Sequence, residues 1–280
     1  MTPLVTTEWL AAELGKSDLR VIDATVLAPG MKGDARAAFE AAHIPGAVFF
    51  DLDEIVDTAT DVPHMLPPAE KFASRMQALG LGDGSRIVVY DDSPLHSSAR
   101  AWWMLGLFGA HEVAILDGGL AKWHSEGRQM ESGKPVVRHR HFTVWADKKN
   151  VRTQAQMLEN LKTKAEQVVD ARSAARFAGT EPEPRENLRG GHIPGSKNLP
   201  IGLLFNEDGT WKQGEALQSA FTAAGVDIAK PIVTTCGSGI TAAVIYFGAT
   251  LLGAKNLALY DGSWSEWGAS PTNPVVTGAA

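Results

Sequence analysis

The sequence predicts an α/β protein of two related domains, each a parallel sheet with helices on both faces. The first observation is that short apolar, β-branched segments alternate with helical ones, a pattern typical of parallel sheets whose strands end in functional loops. The second is the length of 280 residues, which is long for one core. The third is an internal repeat. In the first half, strands are predicted at residues 21–24, 48–50, 87–90 and 113–116, and helices at 69–79 and 98–108.

The repeat relates the two halves motif by motif, in the same order. Two pairs of motifs come early in each half: V-I-D-A at 21–24 with V-V-D-A at 168–171, and H-I-P-G at both 43–46 and 192–195. Two more pairs follow: R-I-V at 86–88 with P-I-V at 231–233, and D-G-G-x-x-x-W at 117–123 with D-G-S-x-x-x-W at 261–267. We therefore expect two domains of the same fold, at residues 1–135 and 151–280. Residues 136–150, with clustered charges, are interpreted as the linker.

Each half begins with a helix start signal. A helix is predicted from Thr7 in the first half, and Thr153 with Gln156 forms a capping-box pattern in the second. Late in the second half, an apolar strand at 231–235 is followed by a predicted helix at 242–252. The loop between them is the segment of greatest chemical interest.

Composition excludes several classes of function. With 44% hydrophobic and 21% charged residues and a net charge of −6, the chain is typical of a globular protein, not of one that binds nucleic acid. A single cysteine rules out an intramolecular disulfide or a CxxC metal site. No segment approaches the roughly 18 apolar residues of a membrane span. We expect a cytoplasmic protein with no membrane partner, no metal and no nucleotide, since the glycine spacing of nucleotide sites is absent.

The single cysteine, Cys236, lies between that strand and helix and is followed by G-S-G. Small residues there allow several backbone N–H groups and a helix start to converge on one atom, which favours a reactive thiolate. The alternative is a buried cysteine that acts as a small hydrophobic residue. Counting back from Trp267 and Trp123 without a gap places Asp92 opposite Cys236. The first domain is therefore expected to be inactive.

These residues resemble the two-domain rhodanese-like sulfurtransferases. The loop at 236–242 reads C-G-S-G-I-T-A and is similar to the loop C-G-S-G-V-T-A of their 3-mercaptopyruvate branch. The H-I-P-G and D-G-[GS]-x-x-x-W motifs extend the resemblance over nearly the whole chain. Thiosulfate-using members typically carry C-R-K-G-V-T, with two basic side chains. Neutral residues at those two positions favour the mercaptopyruvate branch.

The resemblance implies a set of substrate-binding residues. The segment at 176–185 reads R-F-x-G-T-E-P-E-P-R and is similar to the substrate-binding segment of the mercaptopyruvate branch. In that segment two arginines, here Arg176 and Arg185, hold the carboxylate and keto oxygen of the donor. A solvated charged loop is the simpler alternative, and it is the interpretation given to the flanking Arg172 and Arg189. The loop residues expected to line the donor and the transferred sulfur are Gly237, Gly239, Ile240 and Thr241.

The resemblance also implies a catalytic triad of Asp53, His64 and Ser238, in which a serine oriented by histidine and aspartate relays a proton. Without the resemblance, Asp53 is as well explained as a helix cap and His64 as part of a surface turn. His43 and His192 recur in both halves. Recurrence in the inactive half indicates a structural role.

The implied function is sulfur transfer from 3-mercaptopyruvate through a Cys236 persulfide, releasing pyruvate, to a thiol acceptor such as thioredoxin or a small thiol, or to cyanide. No cofactor is required. The alternatives are a thiosulfate:cyanide sulfurtransferase and a non-catalytic rhodanese-like binding module. A cysteine phosphatase would need an arginine six residues after the cysteine, where this chain has Ala242.

Overall fold

The computed structural model describes residues 1–279, which fold into two compact units. The first unit comprises Met1–Asp57, Leu66–Asp147 and Asn206–Trp211. The second comprises Thr58–Met65, Lys148–Phe205 and the chain from Lys212 onward. Each unit therefore includes one short segment from the other half of the sequence, which no sequence pattern predicted.

The first unit is a five-stranded sheet in the order β1-β5-β4-β2-β3, with every neighbouring pair parallel. Its strands are β1 (Leu4–Val5), β2 (Leu19–Asp23), β3 (Ala47–Phe49), β4 (Arg86–Tyr90) and β5 (Glu112–Leu116). Its helices are α1 (Thr7–Glu13), α2 (Ala35–Ala41), α3 (Ala69–Ala78), α4 (Ser98–Leu107) and α5 (Gly119–Ser125). The four strands and two helices predicted in this half are confirmed to within two residues at each end.

The second unit repeats this topology as β6-β10-β9-β7-β8, again with parallel neighbours. Its strands are β6 (Val151–Arg152), β7 (Gln167–Asp170), β8 (Lys197–Asn198), β9 (Ile232–Thr235) and β10 (Leu257–Tyr260). Its helices are α6 (Gln154–Thr163), α7 (Ala174–Ala178), α8 (Gly214–Ala223), α9 (Ala242–Leu251) and α10 (Ser263–Trp267), with 3-10 turns at Lys148–Asn150 and Ile201–Leu204. Both bonds of the predicted capping box are present at the start of α6. The α/β fold with two repeated domains is confirmed.

Each core lies between the sheet and its helices, and the central strands β4 and β9 are buried. The helix after β9 is apolar around its circumference, and most of its side chains are buried, as expected for a helix that is covered on all sides. Trp123, Trp264 and Trp267 are among the largest fully buried side chains. Their packing places the ends of the central strands firmly against α5 and α10.

The two H-I-P-G turns have matching structural roles. His43 Nδ1 lies 2.7 Å from the carbonyl oxygen of Phe39, and His192 Nδ1 lies 2.8 Å from that of Phe177. Each imidazole also stacks on the ring of that same phenylalanine, at centroid distances of 4.2 and 3.6 Å. Both histidines are buried. They anchor a turn to a helix in each unit.

Strand register identifies the residue of the first unit that is equivalent to Cys236. The last residue of β2 pairs with Tyr90, and the last residue of β7 pairs with Thr235. The next residues along the chain, Asp91 and Cys236, therefore occupy the same place in the fold. The ungapped count that selected Asp92 is wrong by one residue, because the chain from this strand end to the α5 tryptophan is one residue longer in the first unit.

The segment interpreted as a linker is divided, because its residues up to Asp147 belong to the first unit. There the N–H of Trp145 donates to the carbonyl oxygen of Phe108 at 3.1 Å, and the Phe142 side chain is buried. In the part of the chain that the structure describes, no helix is long and apolar enough to cross a membrane.

The end of β2 carries a buried carboxylate, Asp23, whose pKa is raised to about 6, chiefly by burial. In the second unit the equivalent carboxylate, Asp170, is paired with Arg172. The first unit has Thr25 at the position of that arginine, so Asp23 has no such partner there. Between pH 4 and 6 the folded chain binds this proton more tightly than the unfolded chain. The first unit therefore loses about 3 kcal/mol of stability as the pH rises through that window.

Asp23→Asn should remove this loss. Unfolding measured from pH 4 to 7 should give a small stability difference between variant and parent at pH 4, and a variant about 3 kcal/mol more stable at pH 7. Asp92→Asn, a change at an exposed carboxylate, is the control. A difference that does not vary with pH would contradict the assignment.

Candidate active site

Cys236 lies immediately after the last residue of β9, at the carboxyl edge of the second sheet, and its side chain is buried. The backbone N–H of Gly239 donates to its Sγ at 3.1 Å. Gly239 has φ +80°, in the left-handed region that a residue with a Cβ rarely adopts. The glycine therefore turns its N–H toward the sulfur, as one of the several N–H groups that the sequence analysis expected there.

The other side of the loop is held by α10. Ser263 Oγ accepts the backbone N–H of Cys236 at 3.2 Å and donates to the carbonyl oxygen of Tyr260 at 2.8 Å. The N–H of Trp264 donates to the Cys236 carbonyl oxygen at 2.9 Å, and Ser265 donates to the Gly237 carbonyl oxygen through both its N–H and its Oγ, at 2.8 and 2.7 Å. The first turn of α10 thus fixes the backbone on which the thiol sits.

Sequence reasoning missed Ser263, although a signal was available. The first unit has Gly119 at this position, with φ +56°, and Ser263 keeps a positive φ of +48°. A serine in this conformation is strained by about 1 kcal/mol or more. The change from glycine to serine between the repeats, in the half with the cysteine, is explained by the hydrogen bond that its hydroxyl accepts.

Ser238 and His64 are brought together. Both belong to the second unit, because Thr58–Met65 packs there, and His64 Nδ1 lies 2.8 Å from Ser238 Oγ. Arg185 Nη2 donates to the same Oγ at 3.3 Å. Ser238 is buried and His64 is half-buried, so the pair lies at the edge of the cysteine loop with access to solvent through the histidine.

Asp53 belongs to the first unit, where its side chain is exposed. Its backbone N–H donates to Asp51 Oδ1 at 3.1 Å, as in an Asx turn. Two of the three residues of the expected triad are therefore adjacent in the second unit. The role of Asp53 in the triad stays a prediction.

Two arginine side chains lie over Gly237. A Cβ placed on this glycine would lie 3.1 Å from Arg176 Nη2 and 3.8 Å from Arg185 Nη1. The guanidinium groups can approach the loop this closely because residue 237 has no side chain. The residues predicted to bind substrate, Arg176 and Arg185, thus lie beside the loop that carries Cys236.

The remaining loop residues lead into α9. Ile240 is buried, and Thr241 is the half-buried N-cap residue of α9, where its side chain makes no cap hydrogen bond. Among residues 1–279, no group of three or more His, Cys, Asp or Glu side chains is arranged to hold a metal ion.

The interpretation of Arg172 as a solvated arginine is wrong, because its side chain is only 1% exposed. Its Nη2 donates to Asp170 Oδ2 at 2.7 Å and its Nη1 to Glu183 Oε1 at 2.6 Å. The other oxygen of Glu183 accepts from Arg176 Nη2. Burial alone would lower the pKa of Arg172, but the carboxylates of Asp170 and Glu183 outweigh it and raise the pKa. A buried ion-pair chain thus supports Arg176.

Arg189 has a different role. Its guanidinium donates to three backbone carbonyl oxygens, those of Asn273, Ser270 and Gly268, at 2.9, 2.5 and 3.2 Å. A fourth bond, to Trp267, is 3.4 Å long. The side chain therefore closes the loop after α10 and takes no part in the site.

The rhodanese-like domain family matches residues 6–126 and 153–270, one match in each half. The chain belongs to the two-domain rhodanese-like sulfurtransferases. The 3-mercaptopyruvate sulfurtransferase of Rattus norvegicus is 42% identical over 94% of this chain and 91% of its own. The thiosulfate sulfurtransferase of Cricetulus griseus is 40% identical over 94% and 91%.

Among solved structures, SseA from Escherichia coli, described with the rhodanese fold and catalytic mechanism of 3-mercaptopyruvate sulfotransferases, matches with a TM-score of 0.87. It is 38% identical, and the match covers 94% of this chain and 99% of that one. This similarity extends the rhodanese family assignment to nearly the full length of the chain.

Ser263→Gly should separate the strain at this position from its hydrogen bond. The variant relieves the strain but loses the acceptor for the Cys236 N–H, so we expect unchanged or higher thermal stability with about fivefold slower alkylation of the single cysteine by iodoacetamide at pH 7. Ser263→Ala loses the bond and keeps the strain. It should be equally slow and less stable than Ser263→Gly. Alkylation at the parent rate in both variants would contradict the role of Ser263.

Proposed function

We propose that the protein is a 3-mercaptopyruvate sulfurtransferase that forms a persulfide on Cys236 and passes the outer sulfur to a thiol or to cyanide. The observation that carries the proposal is the position of Arg176 and Arg185 over Gly237, the residue next to the cysteine. Two guanidinium groups beside a nucleophile suit a donor with a carboxylate and a keto oxygen. The relatives named for this donor add independent support.

In the first step, the Cys236 thiolate attacks the thiol sulfur of the donor. A sulfur–sulfur bond forms, the carbon–sulfur bond breaks, and its electron pair leaves with the three-carbon fragment as the enolate of pyruvate. The proton of the donor thiol is returned to this enolate, which gives pyruvate and an ionised persulfide on Cys236. The N–H of Gly239 faces the sulfur and would stabilise the negative charge that remains on the persulfide.

The proton transfer is assigned to Ser238 and His64, whose contact of 2.8 Å forms a path from the loop to a half-buried imidazole. A hydroxyl hydrogen-bonded to a histidine can accept one proton while it donates another. Asp53 is included in the proposal as the residue that would orient His64, in line with the family resemblance.

In the second step, an acceptor thiolate or cyanide attacks the outer sulfur of the persulfide. The sulfur–sulfur bond breaks and the Cys236 thiolate is regenerated, so that no oxidant, metal or cofactor is consumed. Thioredoxin or a small thiol would serve as acceptor in a reducing cytoplasm, where a lone cysteine stays free.

Thiosulfate is the alternative donor, and one relative is named for it. It is a dianion, and binding it would favour basic side chains in the loop, where this chain has Gly237 and Ser238. A binding module is less well supported, because the hydrogen bonds around Cys236 position a thiol that such a module would not need.

The direct test measures pyruvate release from 3-mercaptopyruvate with a thiol acceptor, and thiocyanate release from thiosulfate and cyanide, under the same conditions. We expect the first activity to dominate and to be lost in Cys236→Ser, because serine cannot form a persulfide. Preferred use of thiosulfate would replace the proposed donor, and no turnover of either would favour the binding module.

Gly237→Ala tests the position of the arginines. The new Cβ would lie 3.1 Å from Arg176 Nη2, so that the guanidinium has to shift by a few tenths of an ångström. The KM for 3-mercaptopyruvate should rise about tenfold, with a smaller change in the rate of Cys236 alkylation. Gly202→Ala is the control, because a Cβ there meets no atom within 4 Å. An unchanged KM would remove Arg176 from the donor site.

A further inference from the structure

The carboxylate of Glu183 is buried next to Arg176, one of the two arginines proposed to bind the donor. Its side chain is 1% exposed, and its two oxygens are divided between Arg172 and Arg176. Arg172 is itself paired with the buried Asp170. Two carboxylates therefore balance two guanidinium groups within this chain of ion pairs.

Arg176 is the only one of the four that is substantially exposed, with 22% of its side chain accessible, and it is the one that reaches Gly237. A ligand at Gly237 would meet Nη2 of Arg176, and the same nitrogen donates to Glu183, so that this carboxylate offsets the charge of the guanidinium at the atom nearest the loop. Coulomb energy in a partly buried site is large enough for one such charge to decide between a monoanion and a dianion.

We propose that Glu183 is a specificity-determining residue, which offsets the charge of Arg176 so that the site favours a monoanionic donor over a dianionic one. This inference rests on the proposed function for the identity of the donors. Glu183 does not touch the donor, and it acts through Arg176 as a positioning residue. Recognition by Arg176 is then chiefly a matter of hydrogen-bond geometry.

Two substitutions change the local charge in opposite directions. Glu183→Gln keeps the size of the side chain and makes the net charge beside Gly237 more positive by one unit, whereas Arg176→Gln makes it more negative by one. Glu183→Asp keeps the charge. Glu181→Gln is the matched control, because Glu181 is exposed and its carboxylate is bonded to Ser173 Oγ at 3.3 Å.

The experiment measures the dissociation constants of pyruvate, a monoanion, and of thiosulfate, a dianion, by calorimetry. The background is Cys236→Ser, so that no sulfur is transferred. Glu183→Gln should shift the ratio of the two affinities about tenfold toward thiosulfate, and Arg176→Gln should shift it toward pyruvate. Glu183→Asp and Glu181→Gln should keep the parent ratio.

An unchanged ratio of the two affinities in Glu183→Gln, whether or not both affinities fall, would overturn the inference. A purely structural role of Glu183 predicts no preference between the two anions. If Glu183→Gln does not fold, the Arg176→Gln variant decides alone. The inference is then overturned if the ratio of the two affinities does not shift toward pyruvate. Turnover of 3-mercaptopyruvate by the parent protein is measured separately. Its absence would refute the proposed function while leaving the affinity ratios to test the charge effect.

Discussion

A side chain that accepts backbone N–H groups at the end of the central strand is the feature that the two units share, and the loop after that strand is arranged around it. In the second unit the acceptor is Cys236 Sγ, which faces the N–H of Gly239. In the first unit Asp91 stands at the same place, and its carboxylate accepts the N–H groups of Ser93 and Ser98 at 3.0 and 2.8 Å. Burial raises the pKa of Asp91, and these hydrogen bonds act against that rise. One fold position thus holds a carboxylate that cannot carry sulfur in one unit and a thiol in the other.

The regular parts of the fold were predictable because their causes are local. Strands and helices with clear periodicity were placed to within two residues, whereas the edge strands Leu4–Val5 and Val151–Arg152 are too short to produce a pattern. The position equivalent to the cysteine was missed by one residue, since a one-residue difference in loop length is invisible to an ungapped comparison. Asp91 could be identified only from strand register.

The site itself was predictable only in part. Cys236 and its glycines follow from local chemistry, and the neighbours Arg176, Ser238 and His64 came from the family resemblance. Glu183 looked like one more charge in a proline-rich loop, because its burial depends on Arg172, eleven residues earlier in the chain. A sequence contains no sign that two charges will be buried together, and without a partner either one would be costly to bury.

Trp264 connects the two parts of the site. Its N–H donates to the carbonyl oxygen of Cys236, and its ring lies 4.3 Å from the Arg172 guanidinium carbon. In the first unit Leu120 replaces this tryptophan and Thr25 replaces the arginine, while the equivalent backbone bond from Leu120 to the strand end is kept at 3.1 Å. The bond that shapes the loop is therefore common to both units. The stacked pair occurs in the unit with the thiol, where Arg172 is bonded to Glu183 and Glu183 to Arg176, so that the Trp264 ring links the cysteine loop to this chain of ion pairs.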